Sequence, residues 1–277
     1  MRLNRLLPVS ILATALLAAS CSTTSTRETT AAALDNILAG SHRAAENSAR
    51  DGYRHPKETL LFFGIRPEMR VLEIWPEPGW YTEVIAPLVH ERGKYYAAVI
   101  AADPESKYVT QRLAQYQQKL ASSPQMYGAV ELVTFPKDGG DVVPPGSIDM
   151  VVTFRNIHNW MAGGYAEQAF ATAYKALKPG GVLGVVEHRG NPAVPQDPRA
   201  KSGYVNEDYA IRLIEGQGFR LVGESQVNAN PKDTKDYEQG VWTLPPTYRL
   251  GEKDREKYAE IGESDRFTLK FIKPKQH

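Results

Sequence analysis

Residues with reactive or hydrogen-bonding side chains follow an apolar run near the middle of the sequence. Residues 150–154 predict a buried strand, and five such residues come after it: Arg155, Asn156, His158, Asn159 and Trp160. The imidazole of His158 changes its protonation near neutral pH, so it is a candidate general base. The carboxamide of Asn156 can orient a substrate. The alternative role for both residues is structural, as turn and helix-cap residues.

The stretch between residues 71 and 87 predicts a strand, a tight loop and a helix. Residues 71–74 are apolar around Glu73, residues 75–79 contain two prolines and one glycine, and the helix begins near Trp80. A helix that follows a parallel strand has its unpaired N–H groups at the carboxyl edge of the sheet. Open α/β sheets bind nucleotide-like ligands at this edge.

The same stretch, MRVLEIWPEPGWYTEVIAP, resembles the first motif of the class I S-adenosylmethionine (SAM)-dependent methyltransferases. In that family an acidic residue ends the first strand and alternating glycines follow it. The chain keeps Glu73 and Gly79, but Trp75 and Glu77 stand where the first two glycines belong. The segment SIDMVVTF, with Asp149, and the string LKPGG before a predicted fifth strand resemble the same family.

The resemblance implies an α/β fold, namely a Rossmann-like, seven-stranded and mostly parallel sheet with helices on both faces, and it implies SAM as the cofactor. Family members bind the ribose hydroxyls with an acid near the end of the second strand. Here Val99 and Ile100 occupy that place, and the first acid is Asp103. Asp138 lies close to where the family has an acid that faces the adenine. The cofactor-binding candidates are Glu73, Trp75, Glu77, Gly79, Asp103, Asp138 and Arg155.

The N-terminal helices of class I methyltransferases commonly cover the active site. In this chain a polar group at residues 50–55 precedes Pro56, which suits the first turn of a helix. The resemblance therefore favours a substrate-side lid, and the alternative is a solvated connection between helices. Trp160 and His188 lie beyond the ends of the predicted fourth and fifth strands. The candidates for substrate contact are Tyr53, Arg54, His55, Trp160 and His188.

The sequence predicts three segments: a signal peptide at residues 1–20, a flexible Ser/Thr-rich tether at 21–30 and a methyltransferase-like domain at 31–277. Within the domain, residues 31–66 form an N-terminal helical cap. Residues 229–265 form a long polar insert between the last two strands. An insert of this length in a compact domain is usually functional or disordered.

The N-terminal segment has the features of an export signal. Arg2 and Arg5 precede an apolar run at residues 6–19, which is too short to span a bilayer. The string LAASC follows and resembles a bacterial lipobox, and Cys21 is the only cysteine in the chain. This resemblance predicts a lipid anchor on Cys21 in the cell envelope, facing the periplasm, and Ser22 favours the outer membrane. The alternative is an ordinary secretory signal.

Charge and histidine spacing argue against other classes of protein. Removal of residues 1–20 changes the formal net charge from +1 to −1, so the domain lacks the basic footprint of a nucleic-acid-binding protein. The histidines are scattered without zinc-ligand spacing, so no metal site is predicted. There is no P-loop and no G-x-S-x-G elbow, and nothing indicates an oligomeric state.

The leading functional hypothesis is an envelope-anchored SAM-dependent methyltransferase whose acceptor the sequence does not identify. The aromatic faces of Trp75, Trp80 and Tyr81 are candidates to stabilise the sulfonium by cation–π contact (~0.5–2 kcal/mol). The alternative is a binding module that kept the fold and lost the donor site, because the glycine loop and the ribose acid are altered and SAM is made in the cytoplasm. A nicotinamide-dependent enzyme is a third hypothesis, and the absence of G-x-G-x-x-G argues against it.

Overall fold

A computed structural model describes residues 13–102 and 105–275, with side chains from residue 26 onward. The cofactor prediction for Asp103 and the lipidation prediction for the Cys21 side chain fall outside this description. Among the described residues, no helix is long and apolar enough to cross a membrane.

Seven strands form one sheet, and their bounds are β1 (Arg70–Ile74), β2 (Lys94–Val99), β3 (Glu131–Thr134), β4 (Ile148–Phe154), β5 (Leu177–His188), β6 (Arg220–Ser225) and β7 (Arg266–Ile272). Their order across the sheet is β3-β2-β1-β4-β5-β7-β6. Strands β1 to β5 pair in parallel, and β7 is antiparallel to both β5 and β6. The structure confirms the predicted sheet, including the central pairing of β1 with β4.

Eleven helices accompany the described sheet: α1 (Ala13–Leu38), α2 (Ala45–Ser48), α3 (Asp51–Arg54), α4 (Pro56–Phe63), α5 (Thr82–Val89), α6 (Lys107–Ser122), α7 (Pro124–Tyr127), α8 (Ile157–Gly163), α9 (Ala166–Ala176), α10 (Glu207–Glu215) and α11 (Arg255–Ile261). Because side chains alternate along each strand, the sheet has two apolar faces. One face packs against α1 and α4 to α7, and the other packs against α8 to α10.

The two central strands send the chain to opposite faces of the sheet. After β1 the chain enters α5, whose Val84 and Ile85 join one core, whereas after β4 it enters α8, whose Ile157 and Trp160 join the other. A crevice therefore opens between the carboxyl ends of β1 and β4, as expected where the strand order reverses.

Two predicted boundaries need correction. The tether predicted at residues 21–30 lies within α1, and Thr30 is buried because this helix packs on the domain. The LKPGG string does not precede β5 but lies within it: the ladder passes from Leu177 opposite Ile148 to Val182 opposite Met150, so the four residues between bulge out. The division into signal peptide, tether and domain stays a prediction.

The cap and the insert meet above the carboxyl edge of the sheet. Residues 229–265 contain a short 3-10 helix (Gly240–Thr243) and α11. Glu263, near the end of the insert, forms ion pairs with Arg50 and Arg54 of the cap. These two additions to the sheet therefore enclose the crevice.

Candidate functional site

A cavity of about 310 Å³ lies at the carboxyl ends of β1, β4 and β5. The β1–α5 loop forms one wall, the cap forms a second, and the insert covers the opening. The lining includes Trp75, Glu77, Arg155, His158 and Trp242. A smaller cavity of about 150 Å³ borders it at the ends of β1 and β2 and shares Trp75 and Glu77. Residues that are distant in sequence thus line two adjoining cavities at the carboxyl edge of the sheet.

The loop after β1 keeps one glycine for a physical reason. Gly79 has a φ of +93°, and a Cβ there would lie 2.9 Å from both Tyr116 and Lys119. Trp75, where the family has its first glycine, adopts a φ of +56°, in the left-handed region that favours glycine. Its indole packs edge-on against Trp160, with 6.1 Å between ring centroids. Trp75 therefore both fills the core and lines the cavities.

Glu77 reaches the end of β2. Glu77 lines the smaller cavity beside Ile100, and the Arg112 guanidinium donates a hydrogen bond to its backbone carbonyl at 2.8 Å. Burial raises the pKa of Glu77, although these neighbours oppose the shift. A carboxylate is therefore present beside Ile100, where the resemblance expects the ribose acid, but it comes from the β1–α5 loop rather than from β2.

Glu73 lies at the bottom of the cavity and is 3% exposed. The Tyr95 hydroxyl donates a hydrogen bond of 2.5 Å to its Oε2. Burial, with a smaller contribution from the charge of Glu77, raises the pKa of Glu73 to about 8. Its carboxyl group is consequently neutral at pH 7 and can itself donate a hydrogen bond.

A histidine and a buried carboxylate, His158 and Glu187, form a pair at the side of the cavity that lies beyond β4 and β5. His158 Nδ1 lies 3.1 Å from Oε1 of Glu187, which is fully buried at the end of β5. Glu187 also accepts from the backbone N–H groups of His158 and His188. The carboxylate therefore fixes the ring of His158 with a protonated Nδ1. The second ring nitrogen, Nε2, is then free to accept a proton, as an oriented general base requires.

His188 stands beside this pair, with 5.4 Å between the two imidazole centroids. Its Nδ1 lies 2.5 Å from the Ser264 hydroxyl. The histidines predicted to be scattered are thus partly brought together, and ligand atoms of His158, Glu187 and His188 lie within 4.8 Å of one another. Burial, then His158 and Arg155, lowers the pKa of His188. The same positive surroundings disfavour a metal cation, so these residues fit a base better than a metal site.

Not all predicted site residues line the main cavity. Trp160 is a fully buried core residue, because it lies on the face of α8 that packs on the sheet. Asp138 is exposed in a turn and accepts from Gly140. Tyr53 and His55 line a separate cavity of about 230 Å³ beneath the insert. Eight candidates line the main cavity: Arg54, Glu73, Trp75, Glu77, Arg155, Asn156, His158 and His188.

The structure also refines the roles of two candidates, Gly79 and Asn156. Gly79 shapes the loop and does not line the cavity. The Asn156 amide donates to the carbonyl of Ile74 and the hydroxyl of Thr153, both at 3.0 Å. Asn156 thereby joins the end of β4 to the end of β1. Its amide nitrogen stabilises the crevice between these strands and does not bind a substrate.

Several residues of the site were not predicted: Glu187, which orients His158, and three residues that line the cavity. Glu187 precedes a predicted site residue and is an acid inside an apolar strand, which was a usable signal. Glu263, Arg266 and Trp242 lie in or beside the insert, far along the chain from the other site residues. No local pattern brings them to the cavity, because their positions depend on the β5–β7 pairing.

Comparisons with known proteins support the fold. No family model matches the chain, and no curated protein matches it significantly. A SAM-dependent methyltransferase from Aquifex aeolicus matches at 16% identity and a TM-score of 0.55, over 81% of this chain and 93% of that one. The [4+2]-cyclase SpnF matches at 16% identity and a TM-score of 0.59, over 86% of both chains.

A third solved structure, phosphoethanolamine N-methyltransferase 2 of Haemonchus contortus in complex with SAM, matches at 16% identity and a TM-score of 0.55. The match covers 80% of this chain and 53% of that one. The sheet order and these similarities define a Rossmann-like fold of the class I SAM-dependent methyltransferase type.

Proposed function

We propose that the chain is a SAM-dependent methyltransferase that binds its donor between the β1–α5 loop and the end of β2. The observation that carries this proposal is the position of Glu77, whose side chain lines the smaller cavity together with Ile100, the residue that follows β2. Two acceptor oxygens there suit the vicinal hydroxyls of a ribose. This arrangement supplies from the loop the acid that β2 lacks.

The His158–Glu187 pair supports transfer as well as binding. SAM would supply the methyl group as a sulfonium, and the chain would position both reactants and remove a proton from the acceptor. His158 is the candidate base, oriented through Nδ1 by Glu187 at 3.1 Å. Tyr81 lies stacked on Phe154 and lines the cavity, so aromatic faces are available to the sulfonium.

The proposed location is the cell envelope, with a lipid on Cys21 and the domain facing the periplasm, at the outer membrane. The support is the sequence alone: a basic start, a short apolar run and a lipobox-like string that ends in the sole cysteine.

The direct test is calorimetric titration of the full chain, solubilised in a mild detergent, with SAM and with S-adenosylhomocysteine. We expect saturable binding of both. Glu77→Gln removes one charged hydrogen bond and should weaken binding by about 1–3 kcal/mol, or roughly 5- to 150-fold. Asp138→Asn is the matched control, because this acid is exposed outside the cavities. If wild type binds neither compound at millimolar concentration, the enzyme proposal is wrong.

The alternative function is a binding module, and the residues of the β1–α5 loop favour it. Trp75 and Pro78 occupy positions where the family has a flexible, glycine-rich loop, and Pro78 has no N–H to offer a ligand. The similar fold of the [4+2]-cyclase SpnF also supports this alternative, because its name denotes a reaction other than methyl transfer. A methyltransferase-fold module that binds a different envelope ligand would have the same cavity and would bind no adenosyl compound.

A further inference from the structure

Four arginines converge on the wall of the cavity nearest the cap and the insert. Arg50 and Arg54 come from the cap, Arg155 follows β4, and Arg266 begins β7. Arg54 and Arg266 are 3% and 2% exposed. Guanidinium groups stay charged even when buried, so this wall carries a concentration of positive charge out of bulk water.

Among the described residues, the carboxylate that pairs directly with these cations is Glu263, and the charge of Glu187 also acts on Arg155. Glu263 pairs with Arg50 at 2.5 Å and with Arg54 at 3.2 Å, and it also bonds Arg266. Despite its burial, these three arginines hold the pKa of Glu263 well below its usual range. The side chain of Arg155 has no hydrogen bond or ion pair to any residue in the described part of the chain. The protein therefore leaves the wall with more cationic groups than anionic partners.

Nitrogen donors of these arginines that lack a hydrogen-bond partner also indicate an unbalanced positive charge. Buried nitrogens without a protein partner include Nη2 of Arg50, Nη2 of Arg54 and Nε of Arg266. Such donors are costly to leave unpaired in a protein interior. Burial, then the charge of Arg266, lowers the pKa of Arg155 to about 10, so this residue remains a cation at neutral pH. A bound anion beside these side chains would balance the charge of the wall.

We propose that Arg54, Arg155 and Arg266 form an oxyanion site that binds the carboxylate or phosphate of a ligand beside His158. Guanidinium forks match the paired oxygens of both groups. The charges of the same arginines contribute to the lowered pKa of His188, which lies next to His158. The oxyanion site and the candidate base therefore share one wall of the cavity. The anion site is independent of the proposed function. Its assignment to the methyl acceptor, rather than to another ligand, rests on that function.

The first experiment measures anion binding without any adenosyl compound. The full chain in detergent is titrated with inorganic phosphate and with benzoate, at constant ionic strength adjusted with chloride. We expect saturable binding of at least one of the two, and the tighter ligand identifies the group that the site prefers. Arg155→Gln should weaken that binding at least tenfold, while Arg155→Lys keeps the charge, loses the fork and should weaken it less.

The matched control is Arg70→Gln, which removes the same charge at the start of β1, on the opposite edge of the sheet. We expect this variant to bind like wild type. Equal losses in the Arg70 and Arg155 variants would mean that the anions respond to net charge alone, and that result would overturn the proposal. No saturable binding of either anion at tens of millimolar would overturn it as well, whatever SAM does.

The second experiment separates an acceptor site from a site for the carboxylate of SAM itself. Phosphate binding is repeated with saturating S-adenosylhomocysteine and with 5′-methylthioadenosine, which lacks the amino-acid part. Unchanged phosphate affinity in both cases supports an acceptor site. Displacement by S-adenosylhomocysteine alone would assign the arginines to the donor and contradict our assignment. Phosphate binding by a chain that binds neither adenosyl compound would keep the oxyanion site and reject the proposed function.

Discussion

Two glutamates of the cavity have opposite charge states because their neighbours differ. Glu73 lies among buried aromatic residues and bonds the Tyr95 hydroxyl, and its pKa is raised to about 8. Glu263 faces three arginines, and its pKa is depressed. Equal burial therefore produces a neutral acid on one side of the cavity and a carboxylate on the other.

The raised pKa of Glu73 predicts a stability that depends on pH. The neutral form is favoured in the folded state, so its contribution is complete below pH 4.5 and is lost as the pH rises to about 8. Within that window each pH unit costs about 1.4 kcal/mol of unfolding free energy. Glu73→Gln keeps an acceptor for Tyr95 and cannot ionise. Urea unfolding at pH 5, 6.5 and 8 should show a stability difference between variant and wild type that grows in favour of the variant as pH rises; parallel curves would contradict the assignment.

The Glu263 carboxylate gives the reverse dependence and a larger mutational effect. Its depressed pKa contributes stability above about pH 4.5 that is lost on acidification. Glu263→Gln leaves two buried arginines, Arg54 and Arg266, and the half-buried Arg50 without their paired carboxylate, and we expect a loss of about 3–5 kcal/mol in unfolding free energy at pH 7. Glu260→Gln is the control, because this acid is exposed on α11. A loss below 1 kcal/mol in urea denaturation would show that the arginines have other partners.

At the scale of elements, the β1–α5 loop decides whether the donor site works. The double change Glu77→Gly and Pro78→Gly restores glycine spacing and one backbone N–H. If Glu77 binds the ribose, calorimetry should show SAM binding weakened by about 1–2 kcal/mol, since one charged hydrogen bond is lost. Pro78→Gly alone keeps the carboxylate and should change little. Stronger binding by the double variant would instead indicate a degraded site.

The sequence predicts the parallel part of the sheet well because each strand there is a short apolar run next to a helix pattern. Glu73 within β1 and the polar residues after β4 follow directly from this local order. Trp160 is predicted at the site because it follows the carboxyl end of the fourth strand in the sequence. In a helix, however, residues two apart, such as His158 and Trp160, point to different sides, and Trp160 shares the buried face with Ile157.

The remaining part of the site could not be predicted because it depends on long-range pairing. Arg266 reaches the cavity because β7 inserts antiparallel between β5 and β6, placing it opposite His188. The role of Glu77 depends on its position beside Ile100, which follows β2, a strand distant from Glu77 in the local sequence. Neither contact leaves a periodic or spacing signal in the local sequence.

At the scale of the whole molecule, anchoring is the simplest prediction to test. Cys21→Ala should release the protein from the membrane pellet into the soluble periplasmic fraction, because acyl chains bury apolar carbon at about 0.8 kcal/mol per CH₂. Ser22→Ala keeps the cysteine and should remain in the pellet. A Cys21 variant that still sediments with membranes would contradict the lipobox prediction.

The ion pair between Arg50 and Glu263 joins residues 213 positions apart. One wall of the cavity is therefore complete only after nearly the whole chain has been synthesised and β7 has paired. Contacts of such long sequence separation form against a large loop-closure entropy and close late in folding. A chain that ends before residue 263 lacks both Glu263 and β7, so this wall of the cavity would be incomplete. Ligand binding is therefore expected only for chains in which the Arg50–Glu263 ion pair has formed.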